Sequence, residues 1–136
     1  MQAGEIERAK DLGTFVGEQL KRELRYNMRE LDEIESQLQN LEQDVQMARS
    51  RAQTEKAQAL RSRQQQLASR RESIVQDISF SVSRLTILQN IYYENNNIEA
   101  ADQLRLEVNS ITDGRLVLPD SIQESRQRIS QFGLAN

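Results

Sequence analysis

The sequence has no cysteine and no histidine. Disulfides, thiolate and imidazole metal sites, cysteine nucleophiles and the usual serine–histidine pairing are thereby excluded. Proline occurs once and glycine five times. From Glu18 to Asp113 neither interrupts the chain, a span of 96 residues that suits only helix among the regular structures. Long apolar runs are missing too. Nothing approaches the ~18 apolar residues of a membrane span, and Glu5, Glu7 and Asp11 interrupt any signal-like segment. A soluble, cytoplasmic protein without cofactor or metal is the expectation. Apolar residues make up 37% of the 136, against ~45–50% in globular domains. That fits long helices burying one face, and a thin apolar stripe calls for a second copy or a partner.

What is present is concentrated. Ile74–Tyr93 holds eleven large apolar residues and two charges, Asp77 and Arg84. A helix apolar on several faces is a buried one. Ile78 to Ser83 also alternates like a strand, but Ile74, Ile78, Leu85, Leu88 and Tyr92 keep helical spacing over five turns. Upstream, Leu31, Ile34, Leu38, Leu41, Val45, Ala48 and Ala52 alternate steps of three and four, continuing back through Leu20, Leu24 and Met28. This is a coiled-coil seam. A second seam runs through Leu60, Leu67, Ile74, Ser81 and Leu88, interleaved later with Ile78, Leu85 and Tyr92. The seams are out of phase, which puts a hairpin tip at 53–58, with Ser50 or Thr54 capping the restart. The alternative is one very long helix in a parallel coiled coil, favoured by the lack of turn residues there. Gln64 and Arg71 fall at core-like positions and would set register at a cost in stability. Gly13 and Gly17, one turn apart beside Ile6, Ala9 and Leu12, suit a close helix crossing.

The C-terminal third is punctuated. Asn95-Asn96-Asn97 is a turn and cap, and Ile98 to Ile111 is helical with Ile98, Ala101, Leu104 or Arg105, Val108 and Ile111 on one side. It should fold back over a stripe of Phe80, Ile87 and Ile91. Thr112-Asp113-Gly114 stops it, 115–118 is extended, and an Asp120–Gln123 capping pair opens a last helix over 120–132, ended by Gly133 under Leu134. Ile122, Ile129 and Phe132 share one face of it.

Charge is segregated although the net is only −3. Residues 29–44 carry six acids against one base. Residues 48–71 carry seven bases, Arg49, Arg51, Lys56, Arg61, Arg63, Arg70 and Arg71, against Glu55 alone. At a hairpin tip such a block can meet phosphates, although no aromatic there could stack on bases. The commoner role of such a block is a solvated flank pairing with the acids at 29–44, in the same hairpin or in a neighbouring chain. Tyr92-Tyr93 suits core and boundary packing. Glu33, Glu42 and Asp44 lie on a helical surface with no cleft to separate their pKa values, and no phosphate-binding glycine loop is present, so no catalysis is expected.

Residues 85–111 resemble the short helical hairpin of nucleotide-excision-repair subunits and some protease adaptors. The likeness rests on Ile98-Glu99, Ala101, Leu104-Arg105 and Val108, with departures at Asp102 and Leu106. The chain as a whole is similar in layout to prefoldin-like chaperones and secretion-apparatus stalk proteins. Both resemblances imply architecture and carry no partner.

The fold expected is all-α: a long antiparallel hairpin over 1–94, with a C-terminal helical base over 95–136 packed on 74–94. The function expected is non-enzymatic assembly, through coiled-coil contacts with copies of itself or subunits of a larger complex. The alternatives are a nucleic-acid-binding accessory protein using 48–71 and an adaptor docking a partner through the base.

Overall fold

A computed structural model describes residues 3–132, with side chains described from Phe15 onward. Every regular element among them is a helix: α1 Ala3–Ser50, α2 Thr54–Glu94, α3 Ile98–Ile111 and α4 Ile122–Gln131. α1 and α2 pack closely as a helical hairpin, so the single rod is excluded, as is the strand over 78–83. Ile6, Ala9, Leu12 and Gly13 fall outside the described side chains, and Gly133 and Leu134 outside the described residues. Two compact units divide the chain: Met1–Tyr26 with Ser79–Asn136, and Asn27–Ile78.

The second unit is the arm of the hairpin. Its tip sits at 51–53, earlier than the expected 53–58, and residues 54–58 are already helical. α1 ends in a pair of nested hydrogen bonds: Gln53 N–H donates to Ala48 O at 2.8 Å and Ala52 N–H to Arg49 O at 3.0 Å. The pair requires a left-handed residue, usually glycine; here Ala52 takes φ 56°. Ser50 does not cap the restart, because its hydroxyl donates to Met47 O. The arm's core is Met28, Leu31, Ile34, Leu41, Val45 and Ala48 with Ala57, Ile74 and Ile78. Leu38, Leu60 and Leu67 are half-buried.

The first unit gathers the remaining stretches of α1 and α2 with α3 and α4. Gly17 lies close to α2: a Cβ there would stand 3.0 Å from Leu88 Cδ2, so that side chain would have to give way to any larger residue. Leu20, Leu24, Leu85, Leu88, Ala101, Leu104, Val108 and Leu118 form its core. α2 and α3 end as α1 does. Asn97 N–H reaches Tyr92 O and Gly114 N–H reaches Asn109 O, each at 2.8 Å. Asn96 and Asp113 hold the left-handed position at φ 58° and 51°. Asp113 therefore does what was expected of Gly114, which follows it at φ 75°. Asn97 caps α3 by accepting from Ala100 N–H.

The chain from 115 to 119 forms no strand and is fastened by polar groups. Thr112 Oγ1, fully buried, accepts from Leu116 N–H at 3.1 Å. The capping box of α4 is shifted by one from the expected pair: Ser121 Oγ accepts from Glu124 N–H and Glu124 Oε2 accepts from Asp120 N–H. Ser125 is the buried residue of α4, donating to Asn90 Oδ1 at 3.1 Å. Ile122 and Ile129 are half-buried and Phe132 is exposed.

One expectation fails in this unit. The buried face of α2 is not the Phe80, Ile87 and Ile91 stripe: it is Leu85 and Leu88 together with Thr86, Gln89 and Tyr93, and Gln89 ties it to α3 and Pro119. Gln89 is fully buried and its Nε2 donates to Pro119 O at 2.6 Å and to Ala101 O at 3.3 Å. Pro119 O thereby gains a donor, whose loss inside the core would cost ~1–3 kcal/mol, whereas Gln89 Oε1 is buried without a hydrogen-bond partner. Ile98 likewise points outward, at 58% exposure, so the buried face of α3 is Ala101, Leu104 and Val108.

Candidate functional site

The seam residues and the basic residues occupy different parts of the hairpin surface and core. Leu31, Ile34, Leu41, Val45, Ile74, Ile78, Leu85 and Leu88 are buried within the chain, and Leu38, Leu60 and Leu67 are partly so. They stabilise the hairpin itself and leave little for a partner. The two polar seam positions find partners across the arm. Gln64 Nε2 donates to Glu42 Oε2 at 2.8 Å, and the Arg71 guanidinium reaches Glu35 Oε1 through two nitrogens, at 3.2 and 3.3 Å. Glu42 also accepts from Gln46, and the Gln46 and Gln64 amides hold its carboxyl below the ordinary value. That makes it a solvated acceptor. A general acid needs the opposite shift. Glu33 and Asp44 are exposed, and no described group of acids is placed to hold a metal ion.

The seven cations separate into two sets. Arg70 pairs with Glu30 and Arg71 with Glu35 along the arm. Arg49, Arg51, Lys56, Arg61 and Arg63 lie around the tip and form no ion pair among the described residues. Arg49 of α1 and Arg61 of α2 line an open recess of about 260 Å³ together with Gln53, Thr54 and Gln58.

On the first unit, α2 leaves an apolar stripe uncovered. Phe80 is 58% exposed and Ile91 48%, with Ile87 partly exposed between them. The Arg84 guanidinium stands 4.2 Å over the Phe80 ring. Positions 80, 84, 87, 91 and 94 step by four and three, the spacing of a coiled-coil seam. Phe15 and Val16 are also exposed on α1.

A third feature is an ion-pair cluster. Lys21, buried among Leu88, Tyr92 and Leu104, donates to Glu107 and to Glu18, the latter at 2.7 Å. Burial works against the ammonium, but the Glu107 and Glu18 carboxylates outweigh it and hold the Lys21 pKa above its ordinary value. Burial likewise works against the Glu107 carboxylate, and Lys21 and Gln103 outweigh it, so its pKa is lowered. Tyr92 lies half-buried beside this cluster and Tyr93 is buried; burial raises both phenols. Lys21, Glu18 and Glu107 satisfy one another within the chain, which is a structural arrangement, while the buried Tyr93 hydroxyl has no hydrogen-bond partner.

Sequence reasoning missed the polarity of α2's covered face, and with it the open stripe. The signal was present as Thr86, Gln89 and Tyr93 at helical spacing, but apolar periodicity alone ranks Phe80, Ile87 and Ile91 above them. Among described residues no helix is long and apolar enough to cross a membrane. No family model, no curated protein and no solved structure matches the chain.

Proposed function

We propose that this is a non-enzymatic assembly protein that associates with a second copy of itself through the open stripe of α2. The observation that carries this is the exposure of Phe80 and Ile91 along a seam-spaced row on a helix whose opposite side is already used. Seam-spaced apolar residues left in water favour helix pairing, at roughly 25 cal/mol per Å² of apolar surface removed from solvent. Charge favours a second copy over an unrelated helix. Within the row, Arg84 and Glu94 flank Ile87 and Ile91. Two copies running antiparallel would set Arg84 of each against Glu94 of its mate, with Ile87 and Ile91 between. Glu94 already accepts from Arg126, and its carboxylate has lone pairs for another donor.

Sedimentation equilibrium over a wide concentration range tests this. The native chain is expected to self-associate, and Phe80→Glu with Ile91→Glu to hold it monomeric at unchanged helicity. Arg84→Glu alone should weaken association, and adding Glu94→Arg should restore it. A native chain that stays monomeric at every concentration overturns self-association and leaves docking of a different protein on the stripe.

A further inference from the structure

The tip of the hairpin is charged in a way its own fold does not use. Arg70 and Arg71 are neutralised by Glu30 and Glu35. Arg49, Arg51, Lys56 and Arg63 have no such partner, Arg61 forms no ion pair although its charge reaches the Glu42 carboxylate, and Glu55 is the single acid between residues 49 and 63. Holding five like charges together costs stability through mutual repulsion. The helix ends do not explain the arrangement, because α1 ends and α2 begins at the tip and their dipoles are of opposite sign. The field there is that of the side chains. It is shaped, too: Arg49 and Arg61 converge from different helices on one recess whose other polar lining, Gln53, Thr54 and Gln58, consists of hydrogen-bond donors that carry no negative charge.

We propose that the hairpin tip binds the phosphodiester backbone of nucleic acid without reading its bases. Arg49 and Arg61 clamp one phosphate in the recess, and Arg51, Lys56 and Arg63 meet its neighbours. Four of the five cations are arginines, whose planar forks match phosphate oxygens in pairs. No aromatic residue lies between 48 and 71, so stacking on bases is not available and recognition is of backbone charge. A lipid surface fits less well. Ser50 to Lys56 contains no large apolar side chain to enter a bilayer, and a headgroup layer gives an arginine clamp no fixed phosphate spacing.

The test is fluorescence anisotropy of the full chain with a labelled duplex of mixed sequence, in DNA and RNA forms, as salt rises from about 50 to about 200 mM. Five phosphate contacts predict a slope of about −4.5 in log affinity against log salt, an affinity loss of about 500-fold across that range. Arg49→Gln with Arg61→Gln should bring the slope to about −2.7 and the loss to about 40-fold. Arg70→Gln with Arg71→Gln, which removes equal charge from the internal pairs, should leave the slope unchanged. Circular dichroism on each variant confirms that the helices persist. An unchanged slope for the tip variant, no binding at low salt, or tighter binding to phosphatidylserine vesicles than to either duplex would each overturn the proposal. It does not depend on self-association, since the tip and the stripe carry separate variants.

Discussion

Ala52→Gly is the substitution whose sign separates a hairpin from a continuous helix. Ala52 holds φ 56°, and an L-residue with a Cβ gives up roughly 1–2 kcal/mol in that conformation. Glycine removes this cost but has more freedom in the unfolded chain, which returns about 0.5–1 kcal/mol. Ala52 is exposed, so little packing is lost with its methyl group. The net expectation is a gain of about 0.5–1 kcal/mol, or roughly 2–5 °C in thermal midpoint. Inside an uninterrupted helix the same change would lose about 1 kcal/mol. The two architectures therefore differ by nearly 2 kcal/mol and in sign. Urea unfolding followed by far-UV circular dichroism resolves that difference. Ala52→Val serves as the converse, because a β-branched side chain tolerates the left-handed region worse than alanine. If Ala52→Gly lowers stability, the nested hydrogen bonds at Ala48 and Arg49 are not the turn.

Two further outcomes follow from the first unit. Glu107→Gln should cost about 1–2 kcal/mol near neutral pH, because it leaves the buried Lys21 ammonium with Glu18 alone. The Glu107 pKa is lowered in the fold, so its contribution is present above the ordinary glutamate range and disappears as pH falls through the lowered pKa. The Lys21 pKa is raised, so its contribution persists below the ordinary lysine value and is lost as pH climbs through the raised one. Stability of native chain and variant measured across that window should converge at acid pH; a constant gap would contradict the pairing. Gln89→Ala should cost about 2–3 kcal/mol, since Pro119 O loses its donor inside the core. Amide exchange at 116–118 should accelerate in that variant, and unchanged protection there would show that Gln89 does not fasten the segment.

Much of the architecture could be read from residue order. The absence of breakers between Gly17 and Gly114 dictated helix, and the loss of phase between the Leu31–Val45 and Leu60–Leu88 seams required a reversal. The reversal was misplaced by a few residues because its signal is backbone geometry. Turn chemistry looks for glycine, asparagine or aspartate at the left-handed position; Asn96 and Asp113 obey and Ala52 does not. The capping pair was misread for a related cause: Asp120 and Ser121 are both good N-caps, and only the position of Glu124 N–H chooses between them. The basic block was visible as a block, but which cations face acids depends on antiparallel register. Glu30 and Glu35 fall beside Arg70 and Arg71, and no acid falls beside Arg49 or Arg51. Burial of Gln89 was hidden because a buried amide is stabilised by carbonyls distant in sequence.

The polar groups buried beside Leu85 and Leu88 have a calorimetric consequence. Unfolding ordinarily raises heat capacity by about 12–15 cal/mol/K per residue, because exposed apolar surface adds to it and exposed polar surface subtracts. In the base, unfolding uncovers Thr86, Gln89, Thr112 and Ser125, while Phe80 and Ile91 already face water. A monomeric chain should therefore unfold with a smaller heat-capacity step than its length implies, giving a flatter stability curve against temperature. Differential scanning calorimetry on Phe80→Glu with Ile91→Glu reads that step directly, and a value at or above the ordinary range would contradict the burial described for α2.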